Sequence, residues 1–443
     1  MSLAAEIISV DKRHMLSQDI YTDSYHTGFL PLDYANGYWM KVMAPDGSYV
    51  DRKMLGIGSG SLISLISETG GGKSTLALQI GWNIVKRFNN GMLFMVDCEK
   101  TMTAQRFFNL IGDGFGDQRA QLVKADTTIE AVLESFNNLC KKKEEIGREA
   151  KYEVLNKSAD GKPFWLYQPS VIIIDSLPSF NSEEYNTDNL GTNTDQMRAS
   201  KDITRFYTNI LDKSYRYNCI FIVINHIRQA TNMNPYATPP RGVMMLNPMT
   251  ETLPRGSVPQ YYSTNYFRIR TKKSNAYTMK DDGFDGFKSE LQIAKSKTNV
   301  VGTTFPLAFN TAKGFDGYYT LFEFAKEHNM VIGKNPRLRL LGFEDSDPSF
   351  DRKQFTSLMM SDQYFRNRVI QVLTPELEKM LGDRPKSPGE SAPINIDPLL
   401  ELDDFVIGGG SQKLYIANSN AHREMALQFV EPIARELASR NYV

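Results

Sequence analysis

The 443-residue sequence predicts an α/β fold: a mostly parallel, twisted sheet flanked by helices, with smaller segments at either end. Three observations carry that expectation. Short apolar runs that read as buried strands, such as Val171-Ile172-Ile173-Ile174, alternate with helix-like stretches between about residues 60 and 310. A glycine-rich turn, Gly70-Gly71-Gly72, falls between one such strand and one such helix. Apolar residues make up 41% of the chain and charged residues 23%, ordinary globular usage that supplies a full-sized core.

Residues 1–55 form an N-terminal segment with Pro and Gly turns, read as a subunit-contact region, and Gly56 to Gly60 mark a loop. The core is expected over 56–330. Within it, 61–67 reads as a strand and 74–88 as a helix with apolar positions Leu76, Ile80, Ile84 and Phe88. Residues 92–96 are a second strand and 129–143 a second helix. Strands follow at 171–174 and 220–224, with a helix over 195–217 between them. Residues 229–259 hold six prolines and no periodicity, so they read as a long loop, a kind that is usually functional or disordered. The C-terminal region, 331–443, contains a Pro-rich acidic linker (383–404) and a terminal helix at about 422–440.

The longest apolar runs are far too short to span a bilayer, and the first fourteen residues carry Glu6, Asp11, Lys12 and Arg13 without an apolar stretch, so neither a span nor a signal peptide is expected. Three cysteines, Cys98, Cys140 and Cys219, cannot build a disulfide framework and read as reduced core residues of a cytoplasmic protein. Net charge is zero but unevenly spread. Residues 195–300 hold sixteen Lys/Arg against eight Asp/Glu, and 371–404 hold three against eight. That asymmetry suggests a basic functional stretch followed by an acidic one.

Ser67-Glu68-Thr69-Gly70-Gly71-Gly72-Lys73-Ser74-Thr75, between strand and helix, has the context that a P-loop needs. Its glycines let backbone N–H groups wrap phosphate oxygens, and the helix N-terminus adds a positive dipole end. Lys73 is placed to reach the β/γ-phosphates and Ser74 to bind Mg²⁺; Ser67 stands where the pattern has its first glycine. Asp175, ending an apolar strand, is the natural Walker-B aspartate that holds the metal's water shell. Glu99 lies just past another strand, at the sheet edge where ligands bind in doubly wound folds, and is placed to polarise an attacking water.

Four segments in one order, Thr27-Gly28-Phe29-Leu30-Pro31-Leu32-Asp33, Val96-Asp97-Cys98-Glu99, Ile174-Asp175-Ser176 and Ile224-Asn225-His226-Ile227-Arg228, resemble those of the RecA-type recombinases, and within them the phage UvsX-like branch. The resemblance runs over roughly residues 25–325. It implies a RecA-like P-loop ATPase core that binds ATP and Mg²⁺ through Gly70, Gly71, Gly72, Lys73, Ser74, Thr75 and Asp175, with Glu99 as general base and His226 sensing the γ-phosphate. Phe107 falls where the family places a ring against adenine, with core packing an equal reading. Lys295 and Lys297 resemble paired lysines that reach the neighbouring subunit's ATP; exposed lysines on an edge strand are the alternative.

Arg198 and Arg205, seven residues apart and so on one helical face, match arginines that in the family touch the DNA backbone. The 229–259 loop resembles the second DNA loop, with Arg228 at its start, Arg241, Arg255, Tyr236 and Met245 within it, and Gly256 and Ser257 aligned with its far end. Such a loop suits sequence-independent single-strand binding through charge and stacking. The implied function is a DNA-dependent ATPase that forms helical filaments on single-stranded DNA and exchanges strands with a homologous duplex, in the host cytoplasm if phage-encoded. Single-strand-binding and loader proteins are the implied accessory partners, and no membrane is involved. A hexameric RecA-fold helicase and a non-filamentous ATP-binding mediator are the alternatives. About 60 residues precede the P-loop, which leaves little room for the helicases' N-terminal domain, and Lys73, Glu99 and Asp175 are those of a working ATPase.

Overall fold

The computed structural model describes residues 23–43, 49–112, 119–157, 163–183, 193–229, 251–254, 258–271, 286–299 and 301–382. The linker at 383–404, the helix expected at 422–440 and most of the loop at 229–259 lie outside the described residues.

A nine-stranded sheet forms the centre. Its strands are β1 (Leu62–Ser67), β2 (Met92–Asp97), β3 (Ala120–Val123), β4 (Ser170–Asp175), β5 (Cys219–His226), β6 (Asn265–Thr271), β7 (Gly286–Ser296), β8 (Thr304–Asn310) and β9 (Gly314–Phe315). The order across the sheet is β9-β8-β7-β6-β1-β5-β4-β2-β3. Pairing is parallel from β6 through β1, β5, β4 and β2 to β3, and antiparallel from β6 out to β9. The expected parallel βαβ core is therefore present, extended by an antiparallel flank. Strand and helix residues account for the positions read from sequence to within a few residues at each end.

The apolar runs are continuous because both faces of the sheet are covered. Along β4, Val171 and Ile173 enter one buried cluster while Ile172 and Ile174 enter another; along β5, Ile220, Ile222 and Ile224 part from Cys219, Phe221 and Val223 in the same way. One face packs against α2 (Lys73–Val85) through Leu76, Ala77, Ile80 and Ile84. The other packs against α4 (Ile129–Ile146) and α5 (Asn193–Arg216), through Phe136 and Cys140 on the first and Ile203, Phe206, Tyr207 and Ile210 on the second. Two shorter helices, α1 (Leu30–Asn36) and α3 (Ala104–Ile111), join the face that holds α2.

Beyond the sheet, α6 (Gly317–Glu327), α7 (Phe355–Ser361) and α8 (Gln363–Glu378) belong to the same buried cluster, through Phe322, Phe355 and Phe365. Two hairpins, Tyr38–Met43 with Tyr49–Met54 and Lys151–Lys157 with Pro163–Tyr167, stand outside the sheet. Among the described residues no helix is long and apolar enough to cross a membrane. The three cysteines are free; Cys140 and Cys219 are buried and Cys98 is partly exposed.

Candidate active site at the carboxyl edge of the sheet

Strand register brings the candidate residues together. His226 pairs with Ser67 between β5 and β1, and Asp175 pairs with Asp97 between β4 and β2, so four neighbouring strands end along one edge. The glycine-rich loop springs from β1 at that edge and leads into α2.

The loop's unusual first residue has a partner. Ser67 is almost fully buried. A Cβ on Gly71 would lie 2.3 Å from its hydroxyl oxygen, so the glycine supplies the room that the serine takes up. Gly72, at the helix N-cap with φ +80°, would press a Cβ to 2.9 Å from the Phe315 ring on β9. Gly70 faces open space, with nothing within 4 Å of such a Cβ. Lys73 folds back over the loop, where its Nζ donates to the Ser67 carbonyl (3.2 Å), the Ser67 hydroxyl (3.0 Å) and the Glu68 carbonyl (2.9 Å). Burial pushes the Lys73 ammonium down to about 8, against the pull of the Asp175 and Glu99 carboxylates. Thr75, the next residue but one, is buried on α2.

Asp175 is 3% exposed, and burial pushes its carboxyl up to about 6. A hydrogen bond from the Ser74 hydroxyl opposes that rise, while the Glu99 and Asp97 carboxylates add to it. Serine hydroxyl beside carboxylate is a hard-oxygen donor pair of the kind Mg²⁺ takes along with phosphate oxygens. Among the described residues there is no group of three or more His, Cys, Asp and Glu that could hold a metal ion.

Glu99 is fixed from several sides. Its amide and that of Cys98 donate to the Asp175 carbonyl, at 3.2 and 2.6 Å. Its Oε1 accepts from the Ser176 hydroxyl and lies 3.0 Å from His226 Nε2. Burial and the Lys73 charge hold the imidazole below its ordinary value, so near neutral pH the ring is uncharged and Nε2 carries the proton given to the carboxylate. Asp97, fully buried, instead receives the Met102 amide at 2.9 Å and shapes the turn after β2.

His226 also ends at the root of the long loop. Two residues on, Arg228–Gln229 pairs antiparallel with Glu251–Thr252. Arg268 on β6 grips Glu251 with two nitrogens, at 3.0 and 2.7 Å, and Asn225 donates to the Pro254 carbonyl at 3.1 Å. These anchoring residues carry no sequence signal of their own, and neither does Ser176 beyond its place after Asp175.

Other expected residues fall as follows. Phe107 on α3 is 0% exposed and packs edge-on against Phe108 at 5.2 Å, so both ring faces are taken up in the core, as in its core-packing reading. Lys295 lies in β7 and Lys297 one residue past its end, still bonded through its amide to the Thr264 carbonyl; burial first, and then the Lys297 charge, hold the Lys295 ammonium below its ordinary value. Lys295 Nζ donates to the Gln260 and Tyr261 carbonyls, at 2.5 and 3.1 Å, closing a short helix over Val258–Tyr262. Arg205 and Arg228 are exposed. Arg198 shares α5 with Arg205, two helical turns away. Arg241, Arg255, Gly256 and Ser257, with Tyr236 and Met245, lie outside the described residues.

No protein-family model matches this chain, and no curated protein matches it. The reading of the site therefore rests on the residues themselves.

Proposed function

We propose that the chain is a DNA-dependent ATPase of the RecA-type recombinase kind, which assembles on single-stranded DNA and exchanges strands with a homologous duplex. The observation that carries this reading is the 3.0 Å contact between Glu99, beside the phosphate loop, and His226, at the root of the long loop. It joins a candidate hydrolytic centre to a candidate DNA-binding segment through a single hydrogen bond.

In this reading Lys73 leaves the Ser67 and Glu68 carbonyls for the β- and γ-phosphates of ATP, and Gly70 to Gly72 offer their amides. When bound between Ser74 and Asp175, Mg²⁺ supplies neutralising charge to the phosphates. Glu99 orients the attacking water and takes its proton. His226 meets the γ-phosphate and passes its presence to the loop. Lys295 and Lys297 reach the nucleotide of the next subunit, which requires Lys295 to give up the carbonyls of Gln260 and Tyr261. Nucleotide shared between subunits favours assembly by linkage. Arg198, Arg205, Arg228, Arg241 and Arg255 neutralise DNA phosphates, and base pairing reads the sequence.

Electron microscopy of the protein with single-stranded DNA, Mg²⁺ and a slowly hydrolysed ATP analogue tests this. Continuous helical filaments are expected. Closed six-fold rings would point to a helicase, and scattered particles would refute strand exchange on a filament.

A further inference from the structure

Lys73 fills its hydrogen bonds without leaving its own loop. Burial draws the ammonium down to about 8, so near neutral pH most of it is charged and carries three N–H donors. Three acceptors meet them: the Ser67 carbonyl, the Ser67 hydroxyl and the Glu68 carbonyl. Two of these are main-chain atoms that any residue would offer. The third, at 3.0 Å, belongs to the serine side chain, and a glycine at this position has no counterpart. The hydroxyl's single proton goes to the Glu68 carbonyl at 2.7 Å, which leaves its lone pairs to the ammonium. The seat is also fixed. Ser67 is 1% exposed, it pairs with His226 in the sheet, and its Cβ lies where a side chain on Gly71 would have to be, 2.9 Å away. The hydroxyl therefore cannot follow an ammonium that swings out toward a phosphate.

Lys73 can leave without orphaning a buried acceptor. The Ser67 carbonyl also accepts from the Ile227 amide at 2.9 Å, the Ser67 hydroxyl keeps its bond to the Glu68 carbonyl, and Glu68 itself is exposed. What is lost on departure is the attraction between the ammonium and its three oxygens. We infer that the Ser67 hydroxyl competes with phosphate for Lys73: it holds the ammonium in the empty loop, and a polyphosphate chain must draw Lys73 off it in order to bind. The inference rests on the reading of residues 67–75 as a phosphate loop and concerns the affinity of that site. It makes Ser67 a positioning residue, acting through Lys73, that raises the concentration of nucleotide at which the site fills.

The test is titration calorimetry of the full chain in Mg²⁺ with a slowly hydrolysed ATP analogue and, separately, with inorganic tripolyphosphate, for wild type, Ser67→Ala and Ser67→Gly. Alanine keeps the Cβ and removes only the hydroxyl. The Kd for the analogue is expected to fall about tenfold, the weight of one hydrogen bond to a charged group. Tripolyphosphate, which reaches Lys73 with neither base nor sugar, should tighten by a similar factor. Glycine removes the Cβ as well and should match alanine. Unchanged or weaker binding of the analogue by Ser67→Ala overturns the inference, since a serine that only shapes the loop would give that result. Tightening confined to Ser67→Gly overturns it too, because the gain would then come from space beside Gly71 rather than from the hydroxyl. Should Ser67→Ala fail to fold, Ser67→Cys, which keeps the shape of the side chain but offers only a weak sulfur acceptor, decides by the same criterion. A wild type that binds neither ligand would sink the phosphate-loop reading itself, a result distinct from these.

Discussion

Replacing Asp175 with asparagine should stabilise the nucleotide-free protein while abolishing turnover. The carboxyl is 3% exposed and its value stands at about 6 against the ordinary 3.8. That gap of about two units corresponds to about 3 kcal/mol of penalty on the charged form at about 1.4 kcal/mol per unit. The gap already includes the opposing attraction of Lys73, and asparagine keeps an acceptor for Ser74 while removing the charge, so a net gain of about 3 kcal/mol is expected at neutral pH. The sign follows from linkage. A carboxyl whose folded value is raised contributes its stability below the unfolded value, and the wild type loses that contribution as pH rises through about 6. The advantage of Asp175→Asn is therefore full at pH 7.5, falls to about half near pH 5 and nearly vanishes at pH 4. Urea unfolding followed by the fluorescence of Trp39, Trp82 and Trp165 at these pH values measures it. A variant no more stable than wild type at pH 7.5 would refute the reasoning. So would a gain of equal size at every pH, since that would mark a packing effect rather than a charge effect.

Lys143→Met should lower the unfolding midpoint. The Nζ of this buried lysine donates at 2.8 Å to both the Gln168 and Tyr217 carbonyls, and leaving two buried acceptors without donors costs about 2–4 kcal/mol. An unchanged midpoint would show that other donors take over. Gly72→Ala places a methyl group 2.9 Å from the Phe315 ring on a backbone with φ +80°. A stability loss of about 1–3 kcal/mol and weaker binding of a fluorescent nucleotide are expected; unchanged binding would separate the loop's shape from nucleotide recognition. Arg205→Ala should weaken single-stranded DNA binding uniformly across sequences and flatten the plot of log affinity against log salt by about 0.7, the contribution of one phosphate contact. A slope equal to that of wild type would remove Arg205 from the DNA surface.

How much of this was legible in the chain varies by element. β4 and β5 were, because strands buried on both faces become unbroken apolar runs such as Val171 to Ile174. α2 and α5 were, through apolar spacing at positions such as Leu76 and Ile80. β3 was not: it is a four-residue edge strand of which only Ala120 is buried, too little to show a period. The antiparallel flank was not, because the buried runs of β6 and β8 carry no record of strand direction. Lys295 and Lys297 illustrate a related limit. Alternation placed them together, and the Lys297 charge does act on Lys295, but it gave no sign that the Gln260 and Tyr261 carbonyls of the same chain take the Lys295 ammonium.

The sequence by itself determined the glycine-rich turn between a strand and a helix and the strand ends that bear Asp175 and His226, since each depends on residues adjacent in the chain or repeated at a fixed local period. Only the tertiary structure decided that Gly71 makes room for Ser67, that Phe107 is spent on the core, and that Ser176 and His226 meet at one oxygen of Glu99. Those last partners lie 77 and 127 positions from Glu99. Strand order sets which of them come together, and strand order is the outcome of packing the whole sheet between its two helical layers rather than a property of any one segment.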